Sequence, residues 1–154
     1  MAQIEKRLEE LGIVLPPAPS PMANYVSVQR SGNMLYFSGS GPMEGKTAIY
    51  QGRLGENLTV EEGYQAARIS GLNLIAQLKR VVGDLDKVKQ IVKVLAFVAS
   101  APDFYAQPAV MNGASDLFVE VFGEKGKHAR SAVGTSVLPF GIPVEIEMIV
   151  EIEE

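Results

Sequence analysis

The sequence predicts an α+β fold in which one mixed β-sheet carries two helices on the same face. Three patterns support this prediction. Residues 88–98 form a nearly continuous apolar run, residues 59–83 have helical periodicity, and residues 144–152 alternate between apolar and polar almost throughout. The apolar run is typical of a central strand that is covered on both faces. With 154 residues, the chain has room for one domain with an adequate core.

The N-terminal residues 1–22 are expected to form a helix and a connector ahead of a single domain over residues 23–154. Apolar residues recur at helical spacing before Gly12, which indicates a short amphipathic helix that packs on the main body. These residues are Ile4, Leu8 and Leu11. Four prolines in Pro16–Pro21 then favour an extended path. We interpret this run as a rigid lead-in to the first strand rather than as a ligand for another protein's aromatic groove.

Two short alternating segments predict a β-hairpin at the start of the domain. They cover residues 25–29 and 34–38, and the turn residues 31–33 between them include Gly32, which tolerates positive φ. A third strand, over residues 47–51, is expected at an edge of the sheet. The sheet is therefore predicted to begin with three strands.

A capping box opens the first long helix, because Thr59 and Glu62 are three residues apart ahead of the periodic segment, and Gly83 supplies its end. Its buried stripe is expected to contain Tyr64, Ala67, Gly71, Leu74, Leu78 and Val81. A second helix is predicted over residues 109–122, with Leu117, Val121 and Phe118 or Phe122 on its inner side. The element order is therefore β-β-β-α-β-α-β-β.

The last strand indicates that subunits assemble through their sheets. One of its faces is apolar (Val144, Ile146, Met148, Val150, Ile152), and the other carries Glu145, Glu147, Ile149 and Glu151. With both helices on one face, the second apolar face of the central strand is uncovered, and a soluble monomer rarely exposes a large apolar patch. Carboxylates at such a surface are costly unless they are paired, solvated or used, which favours a function for at least one of them.

Arg130 and Glu145 are the candidate catalytic residues. They lie in two strand-like segments that meet at a Pro/Gly turn. If these segments pair as a hairpin around residues 138–143, the separation of the two side chains is not fixed by the sequence, and a neighbouring subunit could close the gap. An arginine can hold a carboxylate through two parallel hydrogen bonds, and a glutamate can orient or deprotonate a water. The pair suggests chemistry on a small anionic substrate.

The composition argues against several other classes of function. Lys and Arg number 14 against 18 Asp and Glu, so no excess of positive charge is available to follow a nucleic-acid backbone. There is no cysteine and one histidine, His128, which disfavours a metal site. His128 is expected in an exposed loop without a catalytic role. No segment has the length or pattern of a membrane span or an apolar signal core, so a cytoplasmic protein is expected.

Five segments of the chain, in their order and spacing, match one known family. They are the hairpin Tyr25–Gly39, the central strand ending in Phe97-Val98, Asn112 ahead of Phe118, Arg130-Ser131 with Leu138-Pro139, and Val144–Glu147. Together they resemble the YjgF/RidA family of small trimeric proteins over residues 23–152. The resemblance implies a chorismate-mutase-like homotrimer, in which three sheets form a central barrel and ligand clefts lie at the subunit interfaces.

The resemblance also implies an activity. Active members of the family hydrolyse reactive enamines and imines such as 2-aminoacrylate to a 2-oxo acid and ammonia, as 2-iminobutanoate/2-iminopropanoate deaminases, without a metal or cofactor. The family arginine at the position of Arg130 binds the substrate carboxylate, and the glutamate at the position of Glu145 holds the attacking water. The expected substrate-binding residues are Tyr25, Ser38, Asn112 and, through its backbone, Ala132.

The chain departs from the family pattern at several positions, which leaves the substrate open. Ala132 stands where many members carry a cysteine, Ala23-Asn24 replaces a common Gly-Pro, and Phe140–Pro143 makes the final turn apolar. A second hypothesis is a non-catalytic, regulatory trimer that binds a small 2-oxo or amino acid through Arg130. A third is RNA cleavage or translation inhibition, as described for some relatives, against which the acidic composition argues.

Overall fold

The fold places one five-stranded sheet beneath two long helices, and a third, short helix docks at one end. The computed structural model describes residues 2–20 and 24–154. Its elements are α1 (Gln3–Glu10), β1 (Val28–Ser31), β2 (Met34–Phe37), β3 (Met43–Glu44), β4 (Thr47–Ala48), α2 (Val60–Val82), β5 (Val88–Ala99), α3 (Gln107–Phe122), β6 (Ala129–Thr135) and β7 (Val144–Ile152). Short 3-10 turns cover residues 85–87, 123–126 and 139–141.

The main sheet has the strand order β1-β2-β7-β5-β6. The β5–β6 pair is parallel, and the other three pairs are antiparallel, so the predicted mixed sheet is confirmed. The hairpin β1–β2 turns at Gly32 and Asn33 as predicted, with Gly32 at a φ of 61°. The long apolar strand β5 lies between β6 and β7 and is therefore an interior strand, as its apolar sequence predicts.

The third predicted strand is not an edge of the main sheet. Only Thr47 and Ala48 of residues 47–51 are extended, and they pair with Met43 and Glu44 in a separate two-stranded ribbon. The tight turn at Gly45, whose φ is 62°, lets this ribbon close on itself. The edges of the main sheet are formed by β1 and β6 instead.

The two C-terminal strands do not form a hairpin either. β5 lies between β6 and β7, and residues 136–143 connect strands on its two sides. Within this connection the backbone φ is positive at Phe140 and Gly141, which turns the chain, but no hydrogen-bonded pairing of β6 with β7 follows. A parallel partner for β5 needs a crossover helix, and α3 supplies it. Arg130 and Glu145 are consequently separated by a whole strand.

The two long helices pack together on one face of the sheet, as predicted. Thr59 forms the expected capping box with Glu62, and Gly83 ends α2. Most of the predicted stripe of α2 is buried, but Tyr64 is only partly buried and Val81 is 46% exposed. Val81 lies outside the buried row because that row continues from Leu78 to Val82, four residues later. In α3, Leu117, Phe118, Val121 and Phe122 are all buried. Gly113 allows the close crossing, since a Cβ there would lie 2.0 Å from the Tyr64 carbonyl oxygen.

The N-terminal helix docks on the main body, as its apolar spacing predicts. Leu8 is buried in the core, and the Asp86 carboxylate accepts hydrogen bonds from the backbone N–H groups of Gln3 and Ile4 at 2.7 and 2.8 Å. These bonds hold the carboxylate in its charged form, so the pKa of Asp86 lies below its usual value. Residues 13–20 then continue without helix or strand. The expected domain boundary at residues 22 and 23 falls in residues 21–23, outside the described residues.

Within residues 2–20 and 24–154, nothing covers the face of the sheet opposite the helices. On β7 the predicted alternation is confirmed, because Val144, Ile146, Met148, Val150 and Ile152 are all buried and the residues between them are partly exposed. Tyr36 and Val133 on the open face are 46% and 43% exposed. Among the described residues, no helix combines the length and the apolar character that crossing a bilayer demands.

Candidate functional site

The residues singled out from the sequence fall into two separate groups in the structure. Tyr25, Ser38 and Glu145 line one cavity of about 140 Å³, called here the glutamate cavity. Arg130 and Asn112 contact each other elsewhere and, with Ser115 and His128, form what is called here the arginine cluster. The cavity is smaller than the roughly 300–1,000 Å³ of pockets that hold drug-sized ligands, so it suits a small molecule.

The glutamate cavity forms where the end of β2 meets the start of β7. Ser40 and Ile146 exchange two backbone hydrogen bonds of 2.8 and 2.9 Å. These bonds bring the preceding residues, Gly39 and Glu145, against each other. A Cβ on Gly39 would lie 2.8 Å from the Glu145 carboxyl carbon, so the cavity wall has no room for a side chain there. Ser38 Oγ donates a 2.7 Å hydrogen bond to the Val26 carbonyl, which fixes the segment that carries Tyr25.

Glu145 is half-buried, and its surroundings disfavour the charged carboxylate. Burial raises the pKa of Glu145 above its ordinary value, and the nearby carboxylate of Glu147 raises this pKa further. A carboxyl group with a raised pKa releases and accepts a proton closer to neutral pH than an ordinary glutamate does. This is the property that a general acid–base catalyst needs.

The arginine cluster joins β6 to α3. Arg130 Nη1 donates hydrogen bonds to Asn112 Oδ1 at 3.0 Å and to Ser115 Oγ at 3.1 Å. Asn112 and Ser115 are three residues apart and therefore lie on the same side of the helix. Ala132 follows two positions after Arg130 on the strand and packs against the core. The guanidinium is thus held by neutral acceptors, and no carboxylate of the described residues forms an ion pair with it.

His128 contributes to the same cluster and is half-buried, which corrects the expectation of an exposed loop residue. Its Nε2 lies 2.8 Å from Ser115 Oγ, and its Nδ1 lies 2.6 Å from the Gly126 carbonyl oxygen. The ring of Phe118 meets the imidazole edge-on at a centroid distance of 5.7 Å. Burial lowers the pKa of His128, and the positive charge of Arg130 lowers it further, against the opposing effect of the hydrogen bond to Gly126.

Arg130 and Glu145 lie on opposite faces of the sheet within one chain. Arg130 is paired with Val94, which belongs to the buried row of β5 beneath the helices, whereas Glu145 is paired with Phe97 in the alternate row. Paired residues on neighbouring strands share a face. The two groups that the sequence suggests as catalytic partners therefore do not converge in a single chain.

The structure adds residues to both groups that the sequence did not suggest. Pro19 and Ser20, from the connector after α1, line the glutamate cavity beside Tyr25. No local pattern marks this approach, because it depends on where α1 docks. Ser115 and His128 had a usable signal, since Ser115 follows Asn112 at helical spacing and His128 precedes Arg130 by two residues at strand spacing.

Comparisons with known proteins agree with one another on the family. Residues 5–152 match the family model described as "YjgF/chorismate_mutase-like, putative endoribonuclease". The chain is 47% identical to protein TCP17 of Trypanosoma cruzi over 97% of this chain and 94% of that protein. It is 32% identical to a 2-iminobutanoate/2-iminopropanoate deaminase of the mite Dermatophagoides farinae, over 92% of this chain and 95% of that protein.

The fold is also found among solved structures. A protein of unknown function from Agrobacterium tumefaciens is 47% identical to this chain and superposes with a TM-score of 0.90. The match covers 97% of this chain and 92% of the Agrobacterium protein. The similarity therefore extends over both the arginine cluster and the glutamate cavity.

Proposed function

Because the chain belongs to the YjgF/RidA family, we propose that it hydrolyses reactive enamines and imines of the 2-aminoacrylate type to a 2-oxo acid and ammonia. One observation carries this proposal: the chain holds both a hydrogen-bonded arginine, which can bind a carboxylate, and a half-buried glutamate of raised pKa, which can transfer a proton. The two side chains lie on opposite faces of one sheet. The relative from Dermatophagoides farinae, a 2-iminobutanoate/2-iminopropanoate deaminase, supports the substrate class. The proposal includes a cytoplasmic location and no metal or cofactor.

We propose further that the active unit is a homotrimer, whose interfaces bring the arginine cluster of one subunit to the glutamate cavity of the next. The uncovered face of the sheet supports this arrangement, since it exposes Tyr36 and Val133. A cavity on this face, lined in part by Leu95 and Ile149, would also be covered by assembly. Burial of such apolar surface is the main driving force for association.

In the proposed reaction, Arg130 binds the substrate carboxylate. Its Nη1 group is engaged with Asn112 and Ser115, and the fork formed by Nε and Nη2 is the part that can meet a carboxylate through two parallel bonds. Hydrogen bonds to charged groups contribute about 1.5–3 kcal/mol. The guanidinium also offsets the repulsion between the substrate's negative charge and Glu145.

Glu145 acts on the water in this proposal. It takes a proton as the water oxygen bonds to the carbon of the imine tautomer, and it returns this proton to the nitrogen, which gives a carbinolamine. The hydroxyl proton of the carbinolamine then passes to the nitrogen as the C–N bond breaks, so that ammonia leaves and the 2-oxo acid forms. The raised pKa suits a group that both accepts and returns a proton. Tyr25 and Ser38 contribute the polar wall of the cavity beside this carboxyl group.

The test measures ammonia and 2-oxo acid release from freshly generated 2-aminoacrylate and from a panel of larger imino acids. Wild type is compared with Arg130→Ala and Glu145→Ala. Arg30→Ala serves as the matched control, because Arg30 lies on the outer strand β1 and bonds to the adjacent turn. Acceleration by wild type and by the control, lost in both site variants, supports the hydrolase and both roles.

A second candidate is a non-catalytic, regulatory trimer that binds a 2-oxo or amino acid, favoured by the arginine cluster, which can hold a carboxylate without Glu145. Binding of a 2-oxo acid that depends on Arg130 but not on Glu145, with no acceleration on any imine, would establish it. RNA cleavage or translation inhibition ranks third. The family model's description includes endoribonuclease, but the formal net charge of −4 disfavours binding to a polyanion.

A further inference from the structure

We propose that Ser115 and His128 are positioning residues for the Arg130 guanidinium, acting through a chain of hydrogen bonds that has one allowed direction. The inference rests on the proposed function, since the guanidinium is the group proposed to hold the substrate carboxylate. The chain runs from the Gly126 carbonyl through His128 and Ser115 to Arg130. It is separate from the glutamate cavity and lies on the helix-covered face of the sheet.

The direction follows from the first acceptor. The Gly126 carbonyl oxygen can only accept, so His128 Nδ1, at 2.6 Å, carries the hydrogen. A neutral imidazole protonated on Nδ1 has a bare Nε2, which accepts a hydrogen bond. The hydroxyl of Ser115, 2.8 Å away, therefore donates to Nε2. Its oxygen then presents only lone pairs to Arg130 Nη1 at 3.1 Å.

This order makes Ser115 a fixed acceptor rather than a hydroxyl that rotates freely. Without His128, the Ser115 hydrogen could turn toward other acceptors, including the helix backbone. With His128 in place, Ser115 Oγ and Asn112 Oδ1 engage Nη1 together, and the plane of the guanidinium is set. The remaining fork of Arg130 then has one orientation toward a ligand, which reduces the entropy lost on binding.

The chain depends on a neutral His128. A protonated ring would place a hydrogen on Nε2, turn Ser115 from donor to acceptor and set a second positive charge beside the guanidinium. The charged group acting on the ring is Arg130 from β6, while α3 presents uncharged Ser115 and Phe118. The turn before β6 carries the ion pair of Lys127 with Glu124, at 2.7 Å. Burial keeps the ring neutral to lower pH than usual.

The first experiment needs no ligand. Nitrogen-15 NMR of the full chain reports the tautomer of His128 and the rotation rate of the Arg130 Nη groups. We expect the Nδ1-protonated tautomer and slow Nη rotation in wild type, faster rotation in Ser115→Ala, and slow rotation restored in Ser115→Thr, which keeps the hydroxyl. The Nε2-protonated tautomer, or equal rotation rates in wild type and Ser115→Ala, would overturn the proposal.

The second experiment measures the effect on a ligand. Titration with 2-oxobutanoate should give a Kd about 10-fold higher for Ser115→Ala, with the Thr variant near wild type. As the pH falls through the ionisation of His128, wild-type affinity for 2-oxobutanoate should weaken. His128→Gln, whose side-chain oxygen can accept a hydrogen bond from Ser115, should not show this weakening at low pH. An unchanged Kd in Ser115→Ala would contradict the inference.

The two hypotheses fail in different ways. If the wild type hydrolyses no imine, the proposed function is wrong, but the NMR measurements still decide the direction of the hydrogen-bond chain. If imines are hydrolysed and Ser115→Ala retains wild-type Nη rotation and KM, the positioning role is wrong while the hydrolase stands. A rise in KM with kcat retained in Ser115→Ala, rescued by Ser115→Thr, supports both.

Discussion

The arginine cluster and the glutamate cavity are tuned in opposite ways. Arg130 is surrounded by neutral acceptors in defined directions, and its charge is kept available. Glu145 is half-buried beside a second carboxylate, and its charge is disfavoured. In the proposed function, one region therefore holds an anion at a fixed angle, and the other exchanges a proton.

This difference teaches that the proposed reaction needs both regions. A fixed cation without a proton acceptor binds but does not hydrolyse, and a carboxyl group of raised pKa without a cation repels an anionic substrate when it ionises. The sheet separates the two regions within one chain. The proposed trimer joins them, and each of the following variants acts on one side of this comparison.

The largest effect is expected from Glu145→Gln, which preserves size but cannot accept the proton of water. We expect kcat for imine hydrolysis to fall by roughly 10²- to 10⁴-fold while the Kd for 2-oxobutanoate changes little. Steady-state kinetics and calorimetry measure the two quantities. Glu151→Gln, on the same strand but paired with Lys89, is the control. Equal losses of kcat and affinity would show that Glu145 serves binding instead.

Arg130→Lys should have the next largest effect, because it keeps the charge but removes the planar fork and the directed bonds to Asn112 and Ser115. We expect the Kd for 2-oxobutanoate to rise by roughly 10- to 100-fold, and KM with it. The loss in kcat should be smaller than in Glu145→Gln. A lysine variant with wild-type affinity would mean that charge alone is enough and that the geometry of the arginine cluster does not matter.

Mixing two inactive variants tests whether the regions meet between subunits. In a cyclic trimer with sites at its interfaces, co-refolded Arg130→Ala and Glu145→Gln chains form some sites with both native residues, and about a quarter of wild-type activity should return. The measurement is the hydrolysis rate of the equimolar mixture against each variant alone. Activity that stays at the level of the single variants would place both residues in sites built from one chain.

The smallest effect concerns stability against pH. Because the folded-state pKa of Glu145 is raised, this group favours folding most below its ordinary pKa of 4.5, and the contribution is lost as the pH rises through the folded-state pKa. In dilute, dissociated protein, the free energy of unfolding of the wild type should therefore fall relative to that of Glu145→Gln as the pH rises through this range. The midpoints of urea unfolding at several pH values measure this difference. At assembling concentrations, a neighbour's Arg130 would lower this pKa, and the trend should reverse.

The features of the fold that could be predicted from the sequence are those that depend on residues close together in the chain. The faces of β7 follow from its alternation, because a one-residue slip would expose Val144, Ile146 and every other core residue of the strand. The start of α2 follows from the capping box at Thr59. These features need no knowledge of distant parts of the chain.

What the sequence could not predict is which strands become partners. Residues 136–143 contain the Pro and Gly of a hairpin turn, yet β6 pairs with β5 and not with β7, so this segment connects strands on the two sides of β5. The residue types at Arg130 and Glu145 suggested a shared site, but their faces depend on that strand order. The same holds for Pro19 and Ser20, whose place beside Tyr25 depends on the docking of α1.

The position of β7 also determines when the protein can fold during synthesis. β7 follows the other described strands in chain order, yet it lies between β2 and β5, and the Ile152 N–H donates to the Asn33 carbonyl at 2.8 Å. Until this segment has left the ribosome, the β1–β2 hairpin and the β5–β6 pair have no common neighbour, and the backbone N–H and C=O groups on their facing edges remain unpaired. The sheet closes in one late step that joins residues far apart in the chain. Before β7 pairs, the unpaired strands therefore expose the chain to aggregation.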